Sequence, residues 1–411
     1  MKQGYLSEYF DGVAAKRLSA VEVNMLTSHQ HEFNGVMALR QLLGEPVGRV
    51  PWPAKTAYLN DSDADPTIED ATLTWYDARE KARLERGIKR TEYRLYFPST
   101  RMSQHASEGD LLVIAKRRDG GLLVLVAENN SSISRQMVWL FGLGDMVPAG
   151  FTIKSELDTE QDRIQLTSQL LLESIGIKFN LPNDKEIDGL LAKFGEKFPT
   201  TREFSAYARS TLKDISAKDN ADLALMAWME REEMLFRVLE HHLIARRLET
   251  GFRTGTGTDV DGFISFSLSV QNRRKSRVGL ALENHLETVF RENGILYTRT
   301  AVTENRSKPD FLFPSVERYH DPTFPADSLT MLGVKSTCKD RWRQILSEAD
   351  RIKKKHLLTL ETAISIHQTR EMQAKHLQLV VPASIHASYT PEQSGWLMNV
   401  SDFLLLVRNK Q

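Results

Sequence analysis

The 411-residue chain lacks a charge imbalance, because 54 lysines and arginines are matched by 54 aspartates and glutamates. A surface that is basic all over is therefore excluded, and a site for a polyanion must arise from local clustering of charge. Only one cysteine, Cys338, is present, which rules out an internal disulfide and a zinc site built from paired cysteines. This cysteine usage fits a reducing compartment, and we expect a cytoplasmic location.

Long apolar runs and internal repeats are also missing. No stretch approaches the roughly 18 apolar residues of a membrane span, and the first residues lack the apolar core of a secretory signal. We therefore expect neither a transmembrane helix nor a membrane partner. The composition, 41% hydrophobic and 26% charged, is typical of a globular protein, and the length predicts two or three domains.

The first 150 or so residues favour β-structure. Two apolar runs of strand length, 111–118 and 122–127, flank the tight-turn sequence Asp119-Gly120-Gly121. This arrangement predicts a hairpin. Further along, Thr200-Thr201 followed by Glu203 predicts the start of a helix.

The last half alternates between helical and strand patterns. Helices are predicted over Leu223–Leu248, Ser276–Asn293 and Trp342–Leu360, and the glycine-rich segment 254–258 is predicted to be a loop. Short strands are predicted at 296–302, 311–313, 329–334 and 377–381. Mixed strands and helices of this kind indicate an α/β core.

Three side chains in this region suit phosphodiester chemistry. Asp310 leads into one predicted strand, Lys335 ends another, and Glu348 follows on a predicted helix. A hard divalent cation needs carboxylate ligands, and a nearby amine can stabilise charge on a phosphate. The spacing resembles the PD-(D/E)xK nuclease pattern, except that Gly333 stands where the second acid is usual. We predict that Glu348 replaces that acid, although each residue alone also fits an ordinary turn or a solvated surface position.

Two clusters of charge accompany this set. Asn272–Arg277 places four cations, Arg273, Arg274, Lys275 and Arg277, at the predicted start of the helix that carries Glu283. Backbone amides at such a start would add to a phosphate-binding site, and a solvated charged turn is the alternative. The second cluster, Lys339, Asp340 and Arg341, offers donors and acceptors for guanine and cytosine edges.

The segment from Asn272 to about Pro382 resembles the catalytic domain of the EcoRII family of type II restriction endonucleases. The resemblance is carried by Asn272–Arg277, Lys308–Ser315, Tyr319–Asp321, Val334–Leu346, Glu348–Asp350 and Leu379–Pro382. It implies a PD-(D/E)xK-type core of a mixed sheet flanked by helices. It also implies double-stranded DNA as partner and a bacterial or archaeal source.

The resemblance further implies roles for single residues. Asp310 and Glu348 would bind Mg²⁺, and Lys335 would be the catalytic lysine. Glu283 matches an acid near the metal, although a solvated helix face is the alternative, and Tyr319 matches a tyrosine near the active site. Lys339, Asp340 and Arg341 match the segment that reads C·G pairs.

The N-terminal half carries a weaker resemblance to the family's effector domain, which has a B3-like pseudobarrel fold. The matching pieces are Lys16–Ala20 and His29-Gln30, so Lys16, Arg17 and His29 are candidate DNA-binding residues. The basic stretch from Arg79 to Arg101 adds Arg90 and Arg94 as candidates for tracking phosphates. A solvated basic helix is an equally good interpretation of that stretch.

The predicted organisation is a mainly-β DNA-binding domain over 1–176, a linker over 177–196 and an endonuclease domain over 197–411. We expect Mg²⁺-dependent cleavage of double-stranded DNA to 5′-phosphate ends by a homodimer. The N-terminal domain would act either as an effector or as a reader of 5-methylcytosine. If methylation blocks cleavage, a cytosine methyltransferase is the expected counterpart. A non-catalytic DNA-binding regulator is the remaining alternative.

Overall fold

The computed structural model describes residues 4–23, 31–62, 66–87, 89–144, 147–179, 186–255, 257–338 and 341–411. His29, Lys339 and Asp340 lie outside the described residues. The chain forms two compact units. The N-terminal unit comprises Met1–Lys178 with Ala363–Gln368, and the C-terminal unit comprises Phe179–Thr362 with Thr369–Gln411. No described helix is both long and apolar enough to cross a bilayer.

An eight-stranded mixed sheet organises the N-terminal unit, in the order β2-β5-β4-β3-β7-β6-β1-β8. The strands are β1 Phe10–Arg17, β2 Glu32–Gly35, β3 Arg49–Leu59, β4 Glu69–Asp77, β5 Tyr93–Tyr96, β6 Leu111–Arg117, β7 Leu122–Ala127 and β8 Thr152–Lys154. Its α-helices are Ala20–Val23, Met37–Leu43, Glu80–Arg86, Arg101–His105, Ser132–Leu140 and Leu166–Ser174. The unit is mainly β, as predicted, and closure into a B3-like pseudobarrel stays a prediction.

The predicted hairpin is present as the antiparallel pair β6 and β7. All six residues of β7 are buried, because the strand lies inside the sheet between β3 and β6 and its apolar run covers both faces. Gly120 adopts a φ of +88° in the connecting turn, where a residue with a side chain would be strained.

A five-stranded sheet forms the centre of the C-terminal unit, in the order β11-β12-β13-β14-β15. Its strands are β11 Thr298–Arg299, β12 Phe311–Phe313, β13 Thr330–Lys335, β14 Lys355–Thr359 and β15 Leu377–Val380. β12 runs antiparallel to β11 and β13, whereas β13, β14 and β15 are parallel. With its helices, this mixed sheet confirms the α/β class.

Nine further α-helices occur among the described residues. They are Ile187–Phe194, Thr201–Ser210, Ala221–Thr250, Val260–Glu292, Val316–His320, Trp342–Ile345, Ile366–Ala374, Pro391–Ser394 and Val400–Arg408. The helix predicted from Thr200 begins as expected, since the Thr200 side chain and Glu203 form a capping box. The first long helix, Ala221–Thr250, is capped by Asn220 and ends before Gly251, whose φ is +74°.

Three local predictions were wrong. The helix predicted over Ser276–Asn293 begins much earlier, at Val260, and forms a second long helix that ends at Glu292. The segment predicted as a loop contains a two-stranded ladder of β9 Arg253–Thr254 and β10 Gly257–Thr258. The helix predicted over Trp342–Leu360 stops at Ile345, and Lys355–Thr359 forms the fully buried strand β14. A short apolar run inside a sheet has no periodicity that separates it from a buried helix.

Part of the predicted linker is folded. Ile187–Phe194 forms a helix that ends at Gly195, and its Leu190 is fully buried with Phe204 and Leu235 in a core cluster of the C-terminal unit. The linker predicted over 177–196 therefore includes a helix of the C-terminal unit.

Candidate active site

Asp310 and Lys335 lie together at the edge of the β12–β13 pair. Phe311 pairs with Leu332 in antiparallel register, which places Asp310 one step away beside Gly333. The Oδ2 atom of Asp310 accepts a hydrogen bond from the Val334 amide at 2.6 Å and another from the Lys335 Nζ at 3.2 Å. Both side chains keep about a fifth of their surface exposed, at 20% and 24%. The ion pair is therefore preorganised by the sheet and still open to a ligand.

Glu348 reaches the same neighbourhood from a bend and not from a helix. The helix that precedes it ends at Ile345, three residues earlier. Burial raises the pKa of the Glu348 carboxyl, the negative charge of Asp310 raises it further, and Lys335 and Lys355 oppose the rise. Its Oε2 atom is buried without a hydrogen-bond partner among the described residues. Such an atom is costly unless a cation or a donor joins it.

Glu283 faces the same charges from the second long helix. Burial is the largest cause that raises its pKa, the Arg299 hydrogen bond lowers it, and Asp310 raises it again. The Arg299 Nη2 donates to Glu283 at 2.8 Å, and Nη1 donates to Glu287 at 3.0 Å. This carboxylate is already neutralised by a protein cation.

The donor set for a metal is correspondingly small. Within the described ranges, no group of three or more histidine, cysteine, aspartate and glutamate side chains is placed to hold a metal ion. Asp310 with the unpartnered oxygen of Glu348 is the pair that fits a hard cation, since both offer carboxylate oxygens and repel each other without one.

Gly333 occupies the position where the second acid is usual, and its surroundings explain the glycine. A Cβ atom added there would lie 2.4 Å from Ile345 Cδ1, and 3.2 Å and 3.4 Å from Cγ1 and Cγ2 of that side chain. Ile345 is fully buried. Any side chain at 333 would therefore collide with the helix that follows β13, and an acid cannot be accommodated without repacking.

Tyr319 is fully buried and contacts the residues that follow Glu348. Its hydroxyl donates to Glu304 Oε2 at 2.5 Å, and the Arg351 amide donates to it at 3.4 Å. Burial and the Glu304 carboxylate raise the pKa of the tyrosine above its ordinary value. These contacts assign Tyr319 to the support of the loop after Glu348, where Glu304 also accepts from the Asp350 amide at 3.2 Å.

The basic segment 272–277 lies within the second long helix, so the prediction that it starts a helix is wrong. Its amides belong to the helical ladder and are not available to a phosphate. Arg277 is buried and ion-paired with Glu233, so its predicted role in DNA binding is not supported. Arg274 is bound to Glu240 at 2.7 Å, and the Arg273 guanidinium lies 3.7 Å from the centre of the Phe198 ring. Lys275 is exposed.

Of the predicted base-reading cluster, Arg341 is the member that the structure describes. It is exposed, and its Nη2 donates to the Thr337 hydroxyl at 2.8 Å and to the Thr337 carbonyl at 3.1 Å. The loop that begins at Ser336 is anchored further in by the Cys338 amide, which donates to the buried Glu361 carboxylate. Arg341 is therefore held against Thr337, which lies two residues after Lys335.

The DNA-binding candidates of the N-terminal unit differ in how exposed their side chains are. Lys16 is buried and bound to Glu22 at 2.6 Å, which does not favour contact with DNA. Arg17 is half-buried and donates to the Ser134 hydroxyl at 3.2 Å, and burial lowers its pKa. Arg94 donates to Glu92. Arg90 is exposed.

The C-terminal region is similar to known restriction enzymes. Residues 236–404 match the family model described as EcoRII C terminal. The chain is 41% identical over 228 residues to the type II restriction enzyme EcoRII of Escherichia coli, which covers 55% of this chain and 52% of that enzyme. The chain thus spans about half the length of that relative. The resemblance of the C-terminal segment to the EcoRII family, noted from the sequence, is confirmed.

Solved structures are similar to the chain at lower identity. A metal-depleted Ecl18kI in complex with uncleaved, modified DNA is 18% identical, with a TM-score of 0.45, covering 56% of this chain and 85% of that one. A complex of the restriction endonuclease PspGI with substrate DNA is 17% identical, with a TM-score of 0.43, covering 52% of this chain and 93% of that one.

Lys355 is the residue that sequence reasoning missed. It opens β14, is 8% exposed, and donates to the backbone carbonyls of Glu348 and Ala349. A lysine as the first residue of a buried apolar strand is the signal that could have identified it, because lysine is almost never buried without partners.

Proposed function

We propose that this protein is a Mg²⁺-dependent, site-specific endonuclease that cuts double-stranded DNA. The observation that carries the proposal is the Asp310–Lys335 ion pair beside the unpartnered buried oxygen of Glu348. The 41% identity to a type II restriction enzyme supports it independently.

The residues have distinct parts in the proposed reaction. Asp310 and Glu348 would hold Mg²⁺, which supplies a Lewis acid for the phosphate and lowers the pKa of water. Lys335, placed 3.2 Å from Asp310, orients the attacking water and stabilises negative charge that develops on the phosphate. The water oxygen bonds to phosphorus and loses a proton to solvent, the P–O3′ bond breaks, and the leaving O3′ takes up a proton from solvent, so the products carry 5′-phosphates and 3′-hydroxyls.

Two charged groups are already positioned for this work. The Val334 amide fixes Asp310 through a 2.6 Å hydrogen bond, so little reorganisation is needed when a ligand arrives. Arg299 neutralises Glu283, which leaves Asp310 and Glu348 as the carboxylates for the cation. Tyr319 supports the adjacent loop, and Arg341, with Lys339 and Asp340, is proposed to read base edges in the major groove.

A homodimer fits a double-strand cut, because a single site of this kind breaks one strand. The second long helix carries an exposed apolar stripe suited to self-association, with Val260 58%, Phe263 47%, Ile264 49% and Leu268 52% exposed. These positions share one helix face. Two copies related by a two-fold axis would each address one strand of a near-palindromic site.

The test compares Asp310→Asn and Lys335→Met with the wild type on plasmid DNA, in Mg²⁺ and in EDTA. Each variant should lose cleavage by about 10²–10⁴-fold yet bind duplex DNA in EDTA. Glu392→Gln is the matched control, because it breaks an exposed ion pair with Arg370 in the same unit and should cut normally. Full cleavage by either site variant contradicts the mechanism, and no cutting by the wild type favours a regulator.

Methylation is addressed in the same digestion. We propose that the N-terminal unit binds DNA, either as an effector or as the module that reads 5-methylcytosine. Matched methylated and unmethylated plasmids separate these alternatives, since an effector-controlled enzyme cuts unmodified sites and a modification reader cuts only methylated ones. A cytosine methyltransferase is the proposed counterpart in the first case.

A further inference from the structure

The turn that carries Glu348 has an unusual backbone. Ala349, the next residue, is fully buried and adopts a φ of +50°. This left-handed conformation is unfavourable for a residue with a Cβ and persists only where surrounding contacts impose it. The direction in which the Glu348 carboxylate leaves the backbone therefore depends on whatever holds this turn.

Side chains hold the amides of the turn on one side. The Ala349 amide donates to Thr303 Oγ1 at 3.4 Å, and the Asp350 amide donates to Glu304 Oε2 at 3.2 Å. Thr303 is buried. These contacts fix the turn against the loop that leads from β11 to β12.

Lys355 holds the carbonyls of the turn on the other side. Its Nζ donates to the Glu348 carbonyl and, at 3.1 Å, to the Ala349 carbonyl. The residue is 8% exposed and begins β14, which lies directly beside β13. One ammonium group thus ties the Glu348 turn to the strand that neighbours Lys335.

The chemistry of this contact is specific to lysine. A buried ammonium group is costly, and Lys355 offsets part of that cost by donating to two carbonyls within the negative field of Glu348, Asp350 and Glu304. An apolar side chain would fill the same space at lower cost. The charged group is therefore better explained by what it does to the turn than by packing.

We propose that Lys355 is a positioning residue that sets the Glu348 carboxylate at the cation site by holding the carbonyls of Glu348 and Ala349. This inference rests on the proposed function, because Glu348 is the proposed ligand. It makes Lys355 a fourth element of the site, beyond Asp310, Lys335 and Glu348, that acts through another residue and touches neither cation nor DNA.

The test uses the full chain and two substitutions, Lys355→Met and Lys355→Gln. Methionine keeps the side-chain length without a donor, and glutamine keeps a donor that is too short to serve both carbonyls. Each variant should require about 10–100-fold more Mg²⁺ for half-maximal cleavage. Each should also bind Mn²⁺ more weakly in calorimetry, while its affinity for duplex DNA in EDTA stays at the wild-type value. A general packing defect would weaken DNA binding as well.

Lys410→Met is the matched control. Lys410 is a half-buried lysine of the same unit that donates to the Leu329 carbonyl at 3.4 Å, and its loss should leave both metal readouts unchanged. Should Lys355→Met fail to fold, Lys355→Gln decides by the same two measurements.

The inference is overturned if a folded Lys355 variant needs no more Mg²⁺ for cleavage than the wild type and binds Mn²⁺ with the wild-type affinity. Failure of the proposed function appears differently. In that case the wild type binds Mn²⁺ but does not cut DNA, and the Mn²⁺ titration of the variants still tests the role of Lys355. A wild type that neither binds Mn²⁺ nor cuts overturns both.

Discussion

The close approach of Ile345 to position 333 predicts that Gly333→Ala destabilises the protein, although the same substitution usually stabilises a strand. Gly333 lies inside β13 and pairs with Leu357 of β14. Replacing a glycine that has an ordinary φ by alanine normally stabilises a protein by about 0.4–1 kcal/mol, because it reduces the conformational entropy of the unfolded chain. Here the added Cβ would lie 2.4 Å from Ile345 Cδ1, so Gly333→Ala should destabilise the protein.

The magnitude follows from the contacts. A normal carbon–carbon contact is about 3.5–4.0 Å, so the overlap exceeds an ångström and involves a fully buried partner. Overpacking of this kind costs about 1–3 kcal/mol. Ile345→Val removes Cδ1 and alone costs about 0.5–1.5 kcal/mol. In the double variant the atoms of residue 345 nearest to the added Cβ are Cγ1 and Cγ2, at 3.2 Å and 3.4 Å. The double variant should therefore lose about 1–2 kcal/mol less stability than the sum of the two single variants.

The four proteins to compare are the wild type, Gly333→Ala, Ile345→Val and the double variant. Denaturant unfolding of each full chain, followed by tryptophan fluorescence, gives its free energy of unfolding. Gly279→Ala is the control, since no atom lies within 4 Å of a Cβ added at that helical glycine and it should stabilise by about 0.5–1 kcal/mol. Additive effects of the two substitutions, or a stable Gly333→Ala, would refute the steric account. The same account predicts that Gly333→Asp fails to restore cleavage to Glu348→Gln.

Two further predictions concern buried charge. Burial and the charge of Asp310 raise the pKa of Glu348, so the folded state retains more protons and loses stability as pH rises from the ordinary carboxyl pKa through the raised one. Glu348→Gln should therefore melt above the wild type in EDTA at pH 8 and lose that advantage at about pH 4; an equal shift at both pH values contradicts this. Arg277→Met should lower the free energy of unfolding by about 1.5–3 kcal/mol in urea, since the buried Glu233 loses one of its two arginine partners and keeps Arg237. Arg246→Met, which breaks an exposed pair with Glu196, should cost no more than about 1 kcal/mol, and equal losses would refute the distinction.

Sequence reasoning succeeded where the signal is local. The helix predicted over Leu223–Leu248 is present as Ala221–Thr250 and ends before Gly251, and the β6–β7 hairpin follows from two apolar runs around a glycine turn. Asp310 and Lys335 flank strands whose apolar residues are continuous in sequence, so their positions at neighbouring strand ends follow from the same pattern. Cap, turn and strand preferences act within a few residues, and a pattern can report them.

Long-range partners decided the rest. Glu348 reaches the site on a left-handed turn held by Thr303 and Lys355, where a regular helix was predicted. Arg277, one of four similar cations, is buried because Glu233 lies opposite it on another helix. Whether a charge is solvated, paired or available depends on which side chains the fold brings within a few ångströms, and spacing along the chain does not encode that distance.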